Sequence, residues 1–171
     1  MMVTLTGFMG SGKSTVGKVL ADFLGCPFLD LDDLVVKKAG KSIPDIFAQD
    51  GEAAFRQLEA RLLRQTVEKY AEGTVVLALG GGAVLAPASA ALLHDKTVCI
   101  YLRATLDTLL ARLEGKTAGR PLADDTMASR LAEREPIYEK PPMSSWTRTV
   151  CLRTRSRTRS SSRPFRTASS R

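Results

Sequence analysis

The stretch that decides the fold is Gly7-Phe8-Met9-Gly10-Ser11-Gly12-Lys13-Ser14, near the start of a 171-residue chain. It matches the pattern Gly-x4-Gly-Lys-Ser, in which glycines let the backbone wrap around a phosphate group without Cβ clashes. The strand-like run Met2–Thr6 precedes it, and apolar residues at helical spacing follow it. This order of strand, loop and helix predicts a nucleotide phosphate-binding loop, and we expect it to hold ATP.

The residues of this loop have distinct predicted roles. Backbone N–H groups and the start of the following helix supply partial positive charge for phosphate oxygens. Lys13 can reach the β- and γ-phosphates as a catalytic cation, and the Ser14 hydroxyl can bind Mg²⁺. The predicted ATP-binding residues of the loop are Gly10, Ser11, Gly12, Lys13, Ser14 and Thr15.

Strand-like and helix-like runs alternate from the loop to about residue 140, which predicts an α/β fold with a parallel sheet flanked by helices. Continuous apolar runs at Val75–Leu79 and Val98–Leu102 are typical of buried parallel strands. Ser42 with Pro44 predicts a helix start, and Gly25 predicts a helix end. An amphipathic first helix is predicted from Val16, Val19, Leu20, Phe23 and Leu24.

Polar residues follow the predicted strands at the edge where this fold binds ligands. Asp32 comes after the second strand, Gly80-Gly81-Gly82 comes after the third, and Arg56 lies on a long helical pattern. A carboxylate can orient a hydroxyl and take its proton, whereas an Arg binds a carboxylate through its planar fork. Many phosphate-loop proteins have a metal-supporting Asp after the third strand; here that position is glycine, so Asp30 is the candidate.

With these residues and their spacing, the chain resembles shikimate kinase over roughly residues 1–140. The resemblance rests on the phosphate loop and on five further segments. These are Phe28–Asp32, Ile46–Arg56, Gly80–Gly82, Arg120–Leu122 and Arg134–Tyr138.

The resemblance implies a phosphate-loop kinase fold and ATP-dependent phosphorylation of the 3-hydroxyl of shikimate, in the pathway to chorismate and aromatic amino acids. It implies that Asp32 contacts the shikimate hydroxyls as the candidate base, within an acceptor-binding segment of about residues 32–60. Arg56 and Arg134 would bind the carboxylate, Gly80, Gly81 and Gly82 would line the ring, and Asp30 would support Mg²⁺. Arg120 would close over the phosphates from a mobile lid of about residues 115–125.

The last part of the chain departs from that family. Residues 141–171 contain eight Arg and no Asp, Glu or Lys, so without them 17 basic and 18 acidic residues remain, a net charge of −1. The net charge of +7 therefore comes from this tail alone. As written, its Arg, Ser and Thr predict a disordered basic arm in place of the family's final strand and helix.

If the reading frame is shifted by one base, the DNA of this tail encodes a different amino-acid sequence. Met143 and Trp146 have single codons ending in G, so the shifted codons after them encode Val (if Ser144 uses TCN) and Asp. With GC-rich codons elsewhere, the stretch from Pro141 can be read as TAHVVVDTDGLSPDEVANAI. That string has an apolar strand, an Asp-Gly turn and a helix start. We therefore interpret residues 141–171 as the product of a frameshift, and expect the final strand and helix to be missing and activity to be weak or absent.

Other classes of protein remain as alternatives. Another small-molecule or nucleoside monophosphate kinase of the same fold is one, although a nucleotide acceptor needs a base pocket. A nucleic-acid-binding protein that uses the Arg-rich tail is another, although the tail has few aromatic residues to stack on bases. We expect a cytoplasmic monomer with ATP and shikimate as its partners, without nucleic acid or membrane.

Overall fold

The structure is a computed structural model that describes residues 1–113 and 127–139 and the backbone of a strand at 150–153. Strands and helices alternate along the chain, which confirms the α/β prediction. The elements are β1 (Met2–Thr6), α1 (Lys13–Leu24), β2 (Phe28–Asp30), α2 (Leu31–Ala39), α3 (Ile43–Gln49), α4 (Gly51–Lys69), β3 (Val75–Ala78), a short 3-10 helix (Ala83–Leu85), α5 (Pro87–Lys96), β4 (Val98–Arg103), α6 (Leu106–Leu113), α7 (Met127–Glu139) and β5 (Val150–Arg153).

The strands form one parallel sheet in the order β2-β3-β1-β4-β5. Strand β1 lies in the middle, with Leu5 beside Ala78 of β3 on one side and Ile100 of β4 on the other. Because parallel strands end at the same edge, the segments that follow β1, β2 and β3 meet there. This topology brings the phosphate loop beside the acidic residues after β2 and the glycines after β3.

Local signals in the sequence begin and end the helices as predicted. Gly25 ends α1 in the left-handed conformation, with φ of 61°. The Ser42 hydroxyl accepts a hydrogen bond from the backbone N–H of Asp45 at 3.3 Å and so caps α3, with Pro44 in its first turn. Within the described part of the chain, no helix is both long and apolar enough to cross a membrane.

Hydrophobic clusters lie on both faces of the sheet, and they differ in size. The larger cluster includes Leu31, Leu77 and Tyr101, whereas α1 covers a smaller one around Val3 and Leu5. The residues of α1 that pack against this smaller cluster are Val16, Leu20 and Leu24.

The amphipathic pattern predicted for α1 is therefore only partly buried. Val19 is 67% exposed and Phe23 is 86% exposed. Both lie outside the face of α1 that packs on the sheet, which includes Val16, Leu20 and Leu24 together with the buried Gly17 and Ala21. A pattern of apolar residues thus overestimated the buried width of this helix.

The expectation of a missing final strand is wrong for the backbone. Residues Val150–Arg153 pair in parallel with β4, from Ile100 to Arg103. The outer edge of β4 offers unpaired N–H and C=O groups, and the run Val-Cys-Leu has a composition suited to a strand. The predicted lid, the predicted absence of the final helix and the predicted disorder of the rest of the tail concern residues outside those that the structure describes.

Candidate active site

The phosphate loop joins β1 to α1 at the carboxyl edge of the sheet. Gly10 and Gly12 have φ of 79° and 102°, in the region that favours glycine. Gly12 immediately precedes α1 as its N-cap, and glycine has no side chain that could cap the first N–H groups of that helix. These N–H groups are therefore available for phosphate oxygens, which carry the negative charge that a helix start attracts.

Lys13 and Ser14 lie in the first turn of α1. The Lys13 ammonium donates to the carbonyl oxygens of Gly7 and Phe8, at 2.8 and 3.1 Å. The Ser14 hydroxyl donates to Oδ2 of Asp30 at 2.7 Å. The loop therefore places a cation, a hydroxyl and a carboxylate side by side.

The pair Ser14 and Asp30 has the donor chemistry of a magnesium site, because Mg²⁺ prefers oxygen ligands. Oδ1 of Asp30 also accepts from the backbone N–H of Asp32 at 3.1 Å, which fixes the carboxylate at the start of α2. In the described residues there is no group of three or more His, Cys, Asp or Glu side chains that could hold a metal. A magnesium ion here would thus need water and phosphate for its other ligands, as is usual for this ion.

Asp32 faces the glycine turn from the first turn of α2. A Cβ atom on Gly80 would lie 2.8 Å from Oδ1 of Asp32 and 2.4 Å from Oε1 of Glu59, so only glycine leaves room for both carboxylates. Burial raises the pKa of Asp32, the neighbouring charge of Asp30 adds to this, and Lys13 opposes it. A carboxylate with a raised pKa is a stronger base, which suits it to accept a proton from a hydroxyl group.

Arg56 is held on α4 by two carboxylates. Its Nη1 lies 2.8 Å from Oε2 of Glu59 and its Nη2 lies 3.1 Å from Oε1 of Glu52. The Glu59 side chain is 3% exposed, and burial raises its pKa while Arg56 opposes the rise. A Cβ atom on Gly82 would lie 2.5 Å from Nη1 of Arg56, so the turn and the guanidinium are in close contact.

Arg134 enters the site from α7. Its guanidinium carbon lies 5.9 Å from the centre of the Phe8 ring, within the range of a cation–π contact. Arg103 of β4 holds α7 against the sheet through ion pairs to Glu135 at 2.8 Å and Glu139 at 3.0 Å. The second predicted arginine therefore reaches the same region as the first from a different helix.

A cleft of about 810 Å³ joins these features. Every predicted site residue in the described part of the chain lines it: Gly10, Ser11, Gly12, Lys13, Ser14, Thr15, Asp30, Asp32, Arg56, Gly80, Gly81, Gly82 and Arg134. Arg120 lies outside the described residues. The structure thus brings these residues together in one cleft, and their roles in binding and catalysis stay predictions.

Sequence reasoning missed other residues that line the cleft. Glu59 follows Arg56 by three positions, and a charged residue within an apolar helical stripe was an available signal. Phe47 and Phe55 form an aromatic wall, with ring centres 4.9 Å apart. Arg112 donates through Nη1 to the carbonyl oxygens of Gly10 and Ser11, at 3.3 and 3.1 Å. Nothing local predicts this last contact, because it joins residues about a hundred positions apart.

One cleft therefore combines a phosphate loop with the half-buried carboxylate of Asp32 and two arginines. This arrangement defines a phosphate-loop kinase whose acceptor is a small anionic molecule. The family model described as "Shikimate kinase" matches residues 9–165. The chain belongs to the shikimate kinase family.

Relatives and solved structures agree with this assignment. The chain is 47% identical over 152 residues to the shikimate kinase of Salinibacter ruber, a match covering 81% of this chain and 73% of that one. It is 41% identical to the enzyme of Enterococcus faecalis, covering 81% and 83%. A shikimate kinase from Acinetobacter baumannii, solved in complex with shikimate, superposes with a TM-score of 0.79 at 31% identity, covering 91% and 84%.

Proposed function

We propose that this chain transfers the γ-phosphoryl group of ATP to the 3-hydroxyl of shikimate, giving shikimate 3-phosphate and ADP. The observation that carries the proposal is the single cleft in which the phosphate loop faces Asp32, Arg56 and Arg134. One end of the cleft suits a triphosphate, and the other suits a hydroxylated ring with a carboxylate. The solved relative from Acinetobacter baumannii binds shikimate, which supports the choice of acceptor.

At the ATP end, the backbone of residues 10–15 binds the phosphates, and the Lys13 ammonium stabilises the negative charge of the γ-phosphoryl group as it is transferred. Lys13 now bonds the loop carbonyls of Gly7 and Phe8, so phosphate oxygens would replace these acceptors. Ser14 and Asp30 would hold Mg²⁺, which neutralises charge on the β- and γ-phosphates when bound. Arg120 is proposed, on the family resemblance alone, to close over the same phosphates.

At the acceptor end, Arg56 from α4 and Arg134 from α7 bind the carboxylate of shikimate. Gly80, Gly81 and Gly82 let the ring approach the backbone closely, since side chains there would occupy the space of Asp32, Glu59 and Arg56. These contacts orient the acceptor, and positioning of this kind supplies much of the catalysis in phosphoryl transfer.

Asp32 accepts the proton of the 3-hydroxyl as the oxygen attacks the γ-phosphorus. The new O–P bond forms while the bond between the γ-phosphorus and the bridging oxygen breaks, and the charge leaves on ADP. Burial raises the pKa of Asp32, and the charge of Asp30 adds to the rise, which makes Asp32 a stronger base, whereas the charge of Lys13 opposes the rise.

The proposed activity depends on the C-terminal segment, residues 141–171. The family model matches the chain as far as residue 165, whereas the matches to the relatives from Salinibacter ruber and Enterococcus faecalis each cover 81% of the chain. We propose that a one-base frameshift near codon 140 produced residues 141–171. Sequencing the DNA there tests this directly: shifted codons that spell TAHVVVDTDGLSPDEVANAI support it, and codons that give another string contradict it.

We further propose that the chain acts as a cytoplasmic monomer without nucleic acid or membrane partners. The net charge of residues 1–140 is −1, which gives no general attraction to polyanions outside the tail. The substrate ATP and the unpaired thiols of Cys26 and Cys99 are also consistent with a cytoplasmic enzyme.

An acceptor panel tests the proposed activity. Release of ADP from Mg·ATP is measured with shikimate, gluconate and a nucleoside monophosphate, for the chain as written and for the frame-restored chain. The proposal predicts shikimate-dependent ADP release by the restored chain and a weaker rate for the written one. A restored chain that prefers gluconate or the nucleotide would contradict the proposed acceptor, and equal rates of the two chains would contradict the importance of the tail.

A further inference from the structure

Tyr138 is a buried residue beside the cleft that the proposed mechanism does not use. It lies near the end of α7, is 2% exposed and does not line the cleft. Its ring stacks on Tyr101 of β4, with centres 5.3 Å apart and planes inclined by 30°. Its hydroxyl donates a hydrogen bond to the carbonyl oxygen of Gly81, the middle residue of the glycine turn.

The same hydroxyl also contacts Arg134. The two residues are four positions apart on α7, so their side chains are neighbours on one face of the helix. Burial raises the pKa of Tyr138 to about 12, while the charge of Arg134 and its hydrogen bond to the phenol oppose the rise. The phenol therefore stays protonated at neutral pH, and one hydroxyl can donate to Gly81 while it accepts from Arg134.

Gly81 lies between the two glycines that contact the acceptor-site charges. Gly80 abuts Asp32 and Glu59, and Gly82 abuts Arg56. A bond that fixes Gly81 to α7 thus fixes the turn relative to the helix that carries Arg134. Without this hydrogen bond, α7 could shift relative to the glycine turn, and the distance between Arg56 and Arg134 would be less well fixed.

We propose that Tyr138 is a positioning residue for the carboxylate-binding site. Its hydroxyl orients the Arg134 guanidinium and holds the glycine turn beside it, so that Arg134 and Arg56 face one carboxylate together. This inference deepens the proposed function, because it rests on both arginines binding the carboxylate of shikimate. It assigns Tyr138 no contact with the substrate.

The substitution Tyr138→Phe tests this role, since it keeps the stacked ring and removes only the hydroxyl. We expect shikimate to bind about 10-fold more weakly, because a hydrogen bond to a charged group is lost and Arg134 becomes less ordered. Binding of Mg·ADP at the phosphate loop should be unchanged. Tyr101→Phe is the matched control, because it removes the hydroxyl of the partner ring, and both affinities should then match those of the wild type.

Calorimetric titration of the full chain with shikimate and with Mg·ADP gives both affinities, and thermal unfolding shows whether each variant folds. Unchanged shikimate affinity in Tyr138→Phe would overturn the proposal, as would an equal loss of both ligands, which indicates a purely structural role. A wild type that binds Mg·ADP but not shikimate would instead overturn the proposed function.

A double-mutant cycle with Arg134→Ala tests the route of the effect. If Tyr138 acts through Arg134, Tyr138→Phe should cause no further loss of shikimate affinity once Arg134 has been truncated. Additive losses in the double variant would contradict an action through Arg134.

Discussion

The close contact between the glycine turn and Arg56 gives a sharp prediction for Gly82→Ala. The backbone of Gly82 has φ of −111° and ψ of −4°, which any residue can adopt, so an added methyl group causes no backbone strain. Its Cβ would nevertheless lie 2.5 Å from Nη1 and 2.7 Å from Cζ of Arg56. The guanidinium must therefore move, and its 2.8 Å ion pair with Glu59 is lost or rearranged.

The size of the effect follows from what moves. Arg56 is a flexible side chain that is partly open to the cleft, so we expect the folded state to lose only about 1 kcal/mol. The acceptor site loses a correctly placed charged donor, and hydrogen bonds to charged groups contribute about 1.5–3 kcal/mol. This corresponds to shikimate binding weakened by about 10- to 100-fold.

Titration calorimetry with shikimate and with Mg·ADP measures the effect of Gly82→Ala. Only the shikimate affinity should fall, because the added methyl group lies away from the phosphate loop. Gly73→Ala is the control, since its Cβ would meet nothing closer than Cδ1 of Tyr70, at 3.6 Å. Wild-type shikimate affinity in Gly82→Ala would refute the reasoning, because it would mean that the position of Arg56 does not matter for acceptor binding.

Three further predictions concern the reacting groups and the tail. Asp32→Asn should lower kcat by about 10²- to 10⁴-fold. It should also raise the thermal midpoint at neutral pH. Burial holds the pKa of Asp32 above its ordinary 3.8, so the folded state loses stability as the pH rises through the pKa of Asp32 in the folded protein. Asn does not ionise and therefore avoids this loss of stability. Thermal melts from pH 4 to 8 check the sign, and a midpoint that falls at neutral pH would oppose it. Asp30→Asn should raise the Mg²⁺ concentration needed for half-maximal rate more than the KM for shikimate, and an unchanged Mg²⁺ requirement would exclude Asp30 as a ligand. The frame-restored chain should unfold at a higher temperature than the written chain, and equal midpoints would show that the tail carries no stability.

The sequence predicted those features that depend on local chemistry. The phosphate loop needs glycines at fixed positions, and the strand and helix around it have clear apolar periods. Asp32, Gly80 and Arg56 could be placed together because parallel strands end at one edge of the sheet. The resemblance supplied Arg134, which spacing alone would not have distinguished from a surface charge.

Contacts between distant segments were not predictable in the same way. Arg112 reaches the phosphate loop, and Tyr138 reaches Gly81, through packing that no local pattern encodes. The exposure of Val19 and Phe23 also depends on which elements cover α1 rather than on the period of α1 itself. Strand β5 formed where the tail was expected to lack it, because pairing with β4 depends on backbone groups as well as on side-chain pattern.

The central claim is that the cleft joining the phosphate loop to Asp32, Arg56 and Arg134 phosphorylates shikimate. Phosphorus NMR of the frame-restored chain with Mg·ATP and shikimate tests it most directly, because it identifies the product. We expect one phosphomonoester, on the 3-hydroxyl, formed in equal amount with ADP. Free phosphate without an ester, or an ester on another hydroxyl, would contradict the assigned geometry of the acceptor.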